Sequence, residues 1–314
     1  MNRLLLLVFA IFGASAGFAG AQPSNCTITA IPNSIPREEE LAGFYVAVGA
    51  ASSHEPTEST GCFERALGKI TNIKTFMSLC DNYMNNCTAR VGRSASGTIF
   101  VSFRGSWFWQ IFPEIVEGVK LVPMDGAPSN VLISSYFYNA LKSIWLGTGL
   151  RAEFISLVNA HPHDRVLLTG HSLGASLATV LAAELKVLNP EVTNKVTLLG
   201  YGTPRTGNFA FSEFVANSTY AHQQFIHSVD RVPAFPSVAD GFWRVPGVKL
   251  YLTEEMSSCG AFQLCAGGED YPCSVCREEP RWNSSCYNLL LHNNYYNLKD
   301  VATFGQENCP RALD

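Results

Sequence analysis

The stretch RVLLTGHSLGASLATVLAAELKVL (165–188) joins three kinds of sequence in one line. Arg165–Thr169 is a short apolar run of the kind buried on both faces of a parallel sheet. Gly170-His171-Ser172-Leu173-Gly174 follows, and an Ala-rich helix from Ala175 to Leu188 leaves it, closed by Asn189-Pro190. A pentapeptide of this pattern is weak alone. Placed between a buried strand and a small-residue helix, it predicts a tight turn that lifts the Ser172 hydroxyl clear of the sheet. The glycines suit that turn, because a side chain at either position would strike the neighbouring strand or helix. The helix N-terminus beside Ser172 favours negative charge developing there.

Outward from this elbow, strands and helices alternate. Thr98–Phe103 reads as a buried strand ending at Arg104-Gly105-Ser106, Val196–Tyr201 as the next after the elbow, and Gln224–Val229 as another. Glu38–Ala51, with acids in its first turn, reads as a helix, as do Val131–Ile144 and Gly149–Asn159. The alternation predicts an α/β fold with a mainly parallel central sheet flanked by helices. No internal repeat or long low-complexity linker divides the chain, so residues 22–314 read as a single domain. The tail from Ser257 to Cys286 holds five of the ten cysteines and reads as a stapled excursion.

The N-terminus carries a different signal. Met1-Asn2-Arg3 supplies a positive charge, Leu4–Phe12 is unbroken and apolar, and Ala19-Gly20-Ala21 precedes Gln22. That order predicts a cleavable signal peptide over residues 1–21 and a secreted, extracellular protein. An uncleaved anchor is the competing reading, but the apolar run falls short of the roughly 20 residues a bilayer span needs. All ten cysteines lie beyond residue 21, which in an oxidising compartment predicts up to five disulfides of unspecified pairing. Cys273-Ser-Val-Cys276 has the spacing of half a zinc site, yet no partner pair stands in a convincing frame, and the disulfide reading prevails. Sequons at Asn25, Asn86, Asn217 and Asn283 fit passage through a glycosylating route. Without residues 1–21, which hold one Arg and no acid, 21 basic side chains face 26 acidic ones, a net −5. A mildly acidic chain with no basic cluster offers no handle for nucleic acid or anionic lipid.

A serine nucleophile needs a base, and the base an orienting carboxylate. After a strand-to-helix elbow of this type the chain order is Ser, acid, His. Asp230 stands just past the Gln224–Val229 strand, on the side of the sheet where ligands bind in open α/β folds. The rival acids Asp240 and Asp270 lie in loops with no such strand before them. His292 is the sole histidine downstream of Asp230, so it is the candidate base. The backbone N–H of Leu173 and a donor at Ser106 are placed to hold an oxyanion. The set Ser172, Asp230 and His292, with Ser106 and Leu173, points to acyl transfer and asks for neither metal nor cofactor.

These motifs resemble the class 3, fungal-type triacylglycerol lipase family. The resemblance rests on IFVSFRGS (99–106), VLLTGHSLGAS (166–176), GYGTPRTGNFAF (200–211), VDRVP (229–233) and HNNYY (292–296). It implies the α/β-hydrolase fold, hydrolysis of lipid esters at a lipid–water interface, and the same triad and oxyanion pair. It also places a lid over the site at Trp107, Phe108, Trp109, Ile111, Phe112 and Ile115, whose apolar groups suit an oil surface better than water. A permanently packed helix is the competing reading of that segment. Ala175 replaces the family's second glycine after the elbow, Leu291 replaces the acid before the histidine, and Val131–Phe137 lacks the family's His and Gly. Three alternatives stay open: a phospholipase A1 or soluble-ester esterase with the same triad, a non-catalytic secreted lipid-binding protein on this scaffold, and a disulfide-rich interaction protein in which the lipase fold is vestigial.

Overall fold

A computed structural model describes residues 34–51, 60–82, 84–106, 119–257, 260–270, 273 and 288–313. The leader 1–21, the lid segment from Trp107, the sequons at Asn25 and Asn283, and Cys26, Cys259, Cys276 and Cys286 lie outside these residues.

Helix α1 (Arg37–Gly49) and helix α2 (Gly61–Leu67) precede the antiparallel run β1 (Ile70–Leu79), β2 (Asn86–Ser94) and β3 (Thr98–Phe103). A small two-stranded sheet, β4 (Leu121–Pro123) with β5 (Leu132–Ser134), leads into α3 (Ser135–Gly147) and α4 (Leu150–Ala160). Then come β6 (Arg165–His171), α5 (Leu173–Leu188), β7 (Val196–Tyr201), α6 (Phe209–Ala216), β8 (Ala221–His227), β9 (Val248–Tyr251), β10 (Phe262–Cys265) and α7 (Val301–Gln306). The eight-stranded sheet has the order β1-β2-β3-β6-β7-β8-β9-β10, and its middle pairs, from β3–β6 to β8–β9, are parallel. This is the mainly parallel sheet that the alternation of strands and helices implies.

Period-2 burial builds the two sides of that sheet. Val166 and Leu168 of β6 and Leu198 of β7 pack with α3, α4 and α5. Leu167, Leu199 and Tyr201 face the opposite way, against Phe44 of α1 and the C-terminal segment. Every side chain from Leu173 to Leu185 of α5 is buried, which its run of small residues permits. Each fully buried Leu or Val contributes about 1.5–3 kcal/mol, so α5 is held by packing more than by propensity.

Two boundaries and the role of one side chain depart from the expectation. Val131–Ile144 is not one helix: Val131–Ser134 turns into β5, whose backbone pairs with β4, and the helix begins only at Ser135. Strand β8 stops at His227, so Asp230 stands a turn beyond it, after the positive-φ residue Ser228. Glu40, expected to favour the start of α1, is fully buried. It accepts from Arg37 at 2.8 Å, Lys249 at 2.6 Å, and the hydroxyls of Tyr251 and Tyr296 at 2.6 and 2.8 Å. One carboxylate thus ties α1 to β9 and to the segment after His292, satisfying charges that burial would otherwise make costly.

Among the described residues three disulfides form: Cys62–Cys309, Cys80–Cys87 and Cys265–Cys273. The first spans 247 residues and fastens α2 to the chain's end. The third stays within the C-terminal excursion and commits Cys273 to a sulfur partner. No helix among the described residues is long and apolar enough to cross a membrane.

Candidate active site

Ser172 sits in the turn between β6 and α5 with φ 58° and ψ −128°. A non-glycine residue held there costs on the order of 1–3 kcal/mol, and such strain persists only where the surroundings enforce it. The enforcement is visible. The Ser172 N–H donates to the Tyr201 carbonyl at 2.9 Å, which pins the turn to β7. A Cβ on Gly174 would lie 2.0 Å from the Phe103 carbonyl oxygen, and one on Gly170 would lie 2.2 Å from the Gly174 carbonyl carbon. Both motif glycines are therefore steric necessities. Ala175, which departs from the family pattern, is completely buried and its methyl is accommodated.

Leu173 begins α5, where the first N–H groups of a helix have no intrahelical acceptor. The segment Arg104–Ser106 leaves β3 beside this turn: Gly105 lies against the His171 carbonyl, and a Cβ there would be 3.5 Å from the Ser172 Cβ. Leu173 and the loop carrying Ser106 thus flank the serine from two directions.

The acid and the imidazole meet from the other side. His292 Nδ1 lies 2.9 Å from Asp230 Oδ2, and the carboxylate, as acceptor, assigns the proton to Nδ1. His292 Nε2 is then left as the acceptor nitrogen, and it is buried with no hydrogen-bond partner among the described residues. Asp230 is held as firmly: Oδ1 accepts from the Val232 N–H at 3.0 Å, and Oδ2 also accepts from the Tyr295 hydroxyl at 2.9 Å. The Tyr295 hydroxyl accepts in turn from the His227 N–H at 3.2 Å. Burial, then the Asp230 charge, push the Tyr295 phenol well above its usual value, so it remains a donor.

His292 packs against His171, the residue that precedes Ser172. The two imidazole rings are 4.6 Å apart, and His171 Nε2 donates to the His292 carbonyl at 2.8 Å. Burial, with the neighbouring His292 adding to it, holds His171 well below the ordinary histidine value, so the ring is neutral. Gly202 closes the site from behind, with room for no Cβ against the His292 ring. Leu291, where the family carries an acid, is buried, and its carbonyl lies 3.0 Å from His227 Nδ1. Ring-to-backbone contacts from His171 and His227 support the His292 turn instead of that acid.

The rival groups are engaged elsewhere. Asp240 caps its own short turn by accepting from Ser237 Oγ at 2.6 Å. Asp270 accepts from the Gly267 N–H at 2.8 Å. His222 lies at the start of β8, at the opposite end of the sheet from Ser172, with Thr219 Oγ1 3.0 Å from its Nδ1. Among the described residues no three His, Cys, Asp or Glu side chains are grouped as a metal site requires. Asn86 and Asn217 are exposed. His171, His227 and Tyr295 escaped the sequence reading as supports. The second position of GHSLG is His171 and the fourth of HNNYY is Tyr295, both inside quoted motifs, whereas His227 lies in none of them.

Residues 100–239 match the model of the class 3 lipase family. The lipase of Rhizopus niveus is 27% identical over 210 residues, covering 63% of this chain and 47% of that protein. The secreted mono- and diacylglycerol lipase 1 of Fusarium solani is 31% identical over 134 residues, 39% of each chain. The chain thus spans about half the length of the curated relatives it matches. Among solved structures, lipase II from Rhizopus niveus superposes with a TM-score of 0.68 at 20% identity, covering 84% of this chain and 96% of the other. The Rhizomucor miehei triacylglyceride lipase gives 0.66 at 22% identity over 86% and 98%. These likenesses fix the fold as that of an α/β-hydrolase, and residues 100–239 are similar to the class 3 lipase family.

Proposed function

We propose that this protein is a secreted serine hydrolase of lipid esters, of the triacylglycerol lipase type. One observation carries the reading: a carboxylate-oriented imidazole with a buried, unpartnered Nε2, packed against the residue that precedes a strained serine. The match of residues 100–239 to the class 3 lipase family and the lipase names of its relatives support the substrate class.

The chemistry runs in two halves. His292 Nε2 takes the proton of Ser172 as its Oγ attacks the ester carbonyl. The Leu173 N–H and a donor from Ser106 hold the oxyanion, assisted by the N-terminus of α5. The imidazolium, steadied by Asp230, returns its proton to the departing alcohol. Water then repeats the sequence on the acyl-enzyme, releasing the acid and restoring Ser172. Tyr295 and Val232 keep the Asp230 carboxylate aimed throughout.

The leader 1–21 directs the chain outward, with residues 22–314 as a single mature domain, and Asn25, Asn86, Asn217 and Asn283 are its glycan acceptors. Trp107, Phe108, Trp109, Ile111 and Phe112 cover the site and yield at a lipid–water interface, a reading that their sequence supports. The test uses purified protein and a panel of emulsified triacylglycerol, diacylglycerol, phospholipid and soluble short-chain esters, with a fluorophosphonate probe alongside. The wild type hydrolyses acylglycerols above phospholipid and is labelled once. Ser172→Ala loses labelling and at least about 10⁴-fold in kcat. Labelling that survives the substitution contradicts the assignment, and preference for phospholipid moves the reading to a phospholipase A1.

A further inference from the structure

The segment that follows the acid is gripped from outside the catalytic group. Arg205, which leaves the β7 end of the sheet, donates through Nη1 to the carbonyls of Ala234 and Pro236, the latter at 2.9 Å. Its backbone N–H also donates to the Phe235 carbonyl at 2.9 Å. Arg244 Nη2 donates to the Pro233 carbonyl at 3.0 Å. Four consecutive carbonyls beyond Asp230 and Val232 are therefore held by two arginines. Both are buried, and the Glu269 carboxylate meets both. Glu269 accepts from Arg205 Nε at 2.6 Å and Nη2 at 2.8 Å, a bidentate fork, and from the Arg244 N–H at 3.1 Å. Its Oε2 lies 3.9 Å from Arg244 Nη1, which itself donates to the Gly268 and Cys273 carbonyls.

Glu269 stands in the loop between Cys265 and Cys273, which are bonded to each other. The stapled excursion thus presents one buried carboxylate to the arginines that hold the acid's loop. Asp230, Pro233, Ala234, Arg244 and Cys273 line one small cavity, so carboxylate, loop and excursion share a wall. Burial works to raise the Glu269 carboxyl, and the Arg205 hydrogen bonds with the two arginine charges outweigh it, keeping the group ionised. A single substitution here takes the bidentate partner from Arg205 and one acceptor from Arg244, and a buried guanidinium that loses its carboxylate reorients or draws in water.

We propose that Glu269 is a positioning residue for the hydrolytic reaction: by fixing Arg205 and Arg244 it sets the loop that aims Asp230 at His292. The proposal rests on the reading of Asp230 and His292 as acid and base. It gives the disulfide-bonded excursion a job in the chemistry, although none of its side chains touches the reacting atoms. His292 is faced by Asp230, His171 and Tyr295, with His227 beyond Tyr295. Of these, Asp230 is the charged group whose distance the arginines control.

The experiment is Glu269→Gln, which keeps size and removes charge. Active-site-titrated kcat and KM on a soluble ester are measured, with an NMR titration of the His292 ring. The expected result is a fall in kcat of about 10²-fold with KM within about twofold, since a small misplacement suffices. His292 titrates about one pH unit lower, because a carboxylate held farther away stabilises the imidazolium less. Unchanged kcat and His292 titration, with only a lower Tm, overturn the proposal and leave Glu269 a purely structural role. If that variant does not fold, Arg205→Met with Glu269→Leu replaces the pair by apolar side chains, an exchange that buried ion pairs often tolerate. It removes the same hold on Ala234 and Pro236, so the same two shifts are expected and their absence again overturns the proposal. A wild type without ester hydrolysis defeats the functional reading instead, while the His292 titration still decides whether Glu269 sets the acid–imidazole pair.

Discussion

The two halves of the site are built by opposite means. The half that holds the proposed nucleophile is local: Ser172, its turn and the proposed Leu173 donor lie within one β6–α5 unit, and Gly170 and Gly174 enforce the geometry against Phe103 and each other. The half that carries Asp230 and His292 is assembled across the chain. Its contacts join residues 62 apart for His292 with Asp230, 64 apart for Arg205 with Glu269, and 121 apart for His171 with His292. One half is fixed by backbone sterics, the other by buried polar contacts between loops. Damage to the first should abolish the nucleophile, and damage to the second should leave a serine present but poorly served.

The largest expected effect breaks the second half at its centre. Asp230→Asn leaves packing nearly intact but lets the imidazole adopt the wrong tautomer, so kcat falls about 10⁴-fold. Slow fluorophosphonate labelling of Ser172 persists, because the elbow is untouched. A loss of labelling with unfolding, seen as a lowered Tm, would show instead that the halves are not separable in this way.

A smaller effect sharpens the contrast through pH. His171, His222 and His227 are all held below the ordinary histidine value, chiefly by burial. Each binds its proton more readily in the unfolded chain. Their contribution is therefore fully present above the unfolded value of about 6.5 and is lost as pH falls below it toward the depressed folded values. For His171 the loss has a slope of up to about 1.4 kcal/mol per pH unit. Urea unfolding at pH 8 and pH 5.5 should show this decline, and His171→Gln, which can still donate to the His292 carbonyl, should flatten it. An equally steep decline in that variant would assign the pH dependence to other groups.

The same division explains what could be read from the sequence. The elbow was legible because strand, GHSLG and helix are contiguous, and the order Ser, acid, His then left a short search that ended at His292. The disulfide-bonded excursion was legible as a cysteine cluster, but Glu269 within it was not, since nothing near residue 269 marks Arg205 as its partner. The role of Glu40 is hidden for the same reason: a first-turn acid is an ordinary helix signal, and only the fold brings Lys249, Tyr251 and Tyr296 to it. The apolar spacing of Val131–Ser134 continues that of α3 and so suggests a helix, while its pairing with Leu121–Pro123 depends on the fold. The support of His292 by His171 and His227 depends on backbone carbonyls, which leave no trace in side-chain pattern.

The central claim is that an acceptor nitrogen at 292 is delivered to the hydroxyl at 172. A crystal structure of the protein after reaction with a small alkyl phosphonate tests it most directly. Phosphorus is expected on Ser172 Oγ, its free oxygen about 3 Å from the Leu173 N–H and the Ser106 donor, and His292 Nε2 within hydrogen-bond reach of the phosphonate oxygens. A phosphonate on another residue, or an imidazole at 292 turned away from the adduct while still bonded to Asp230, would contradict it.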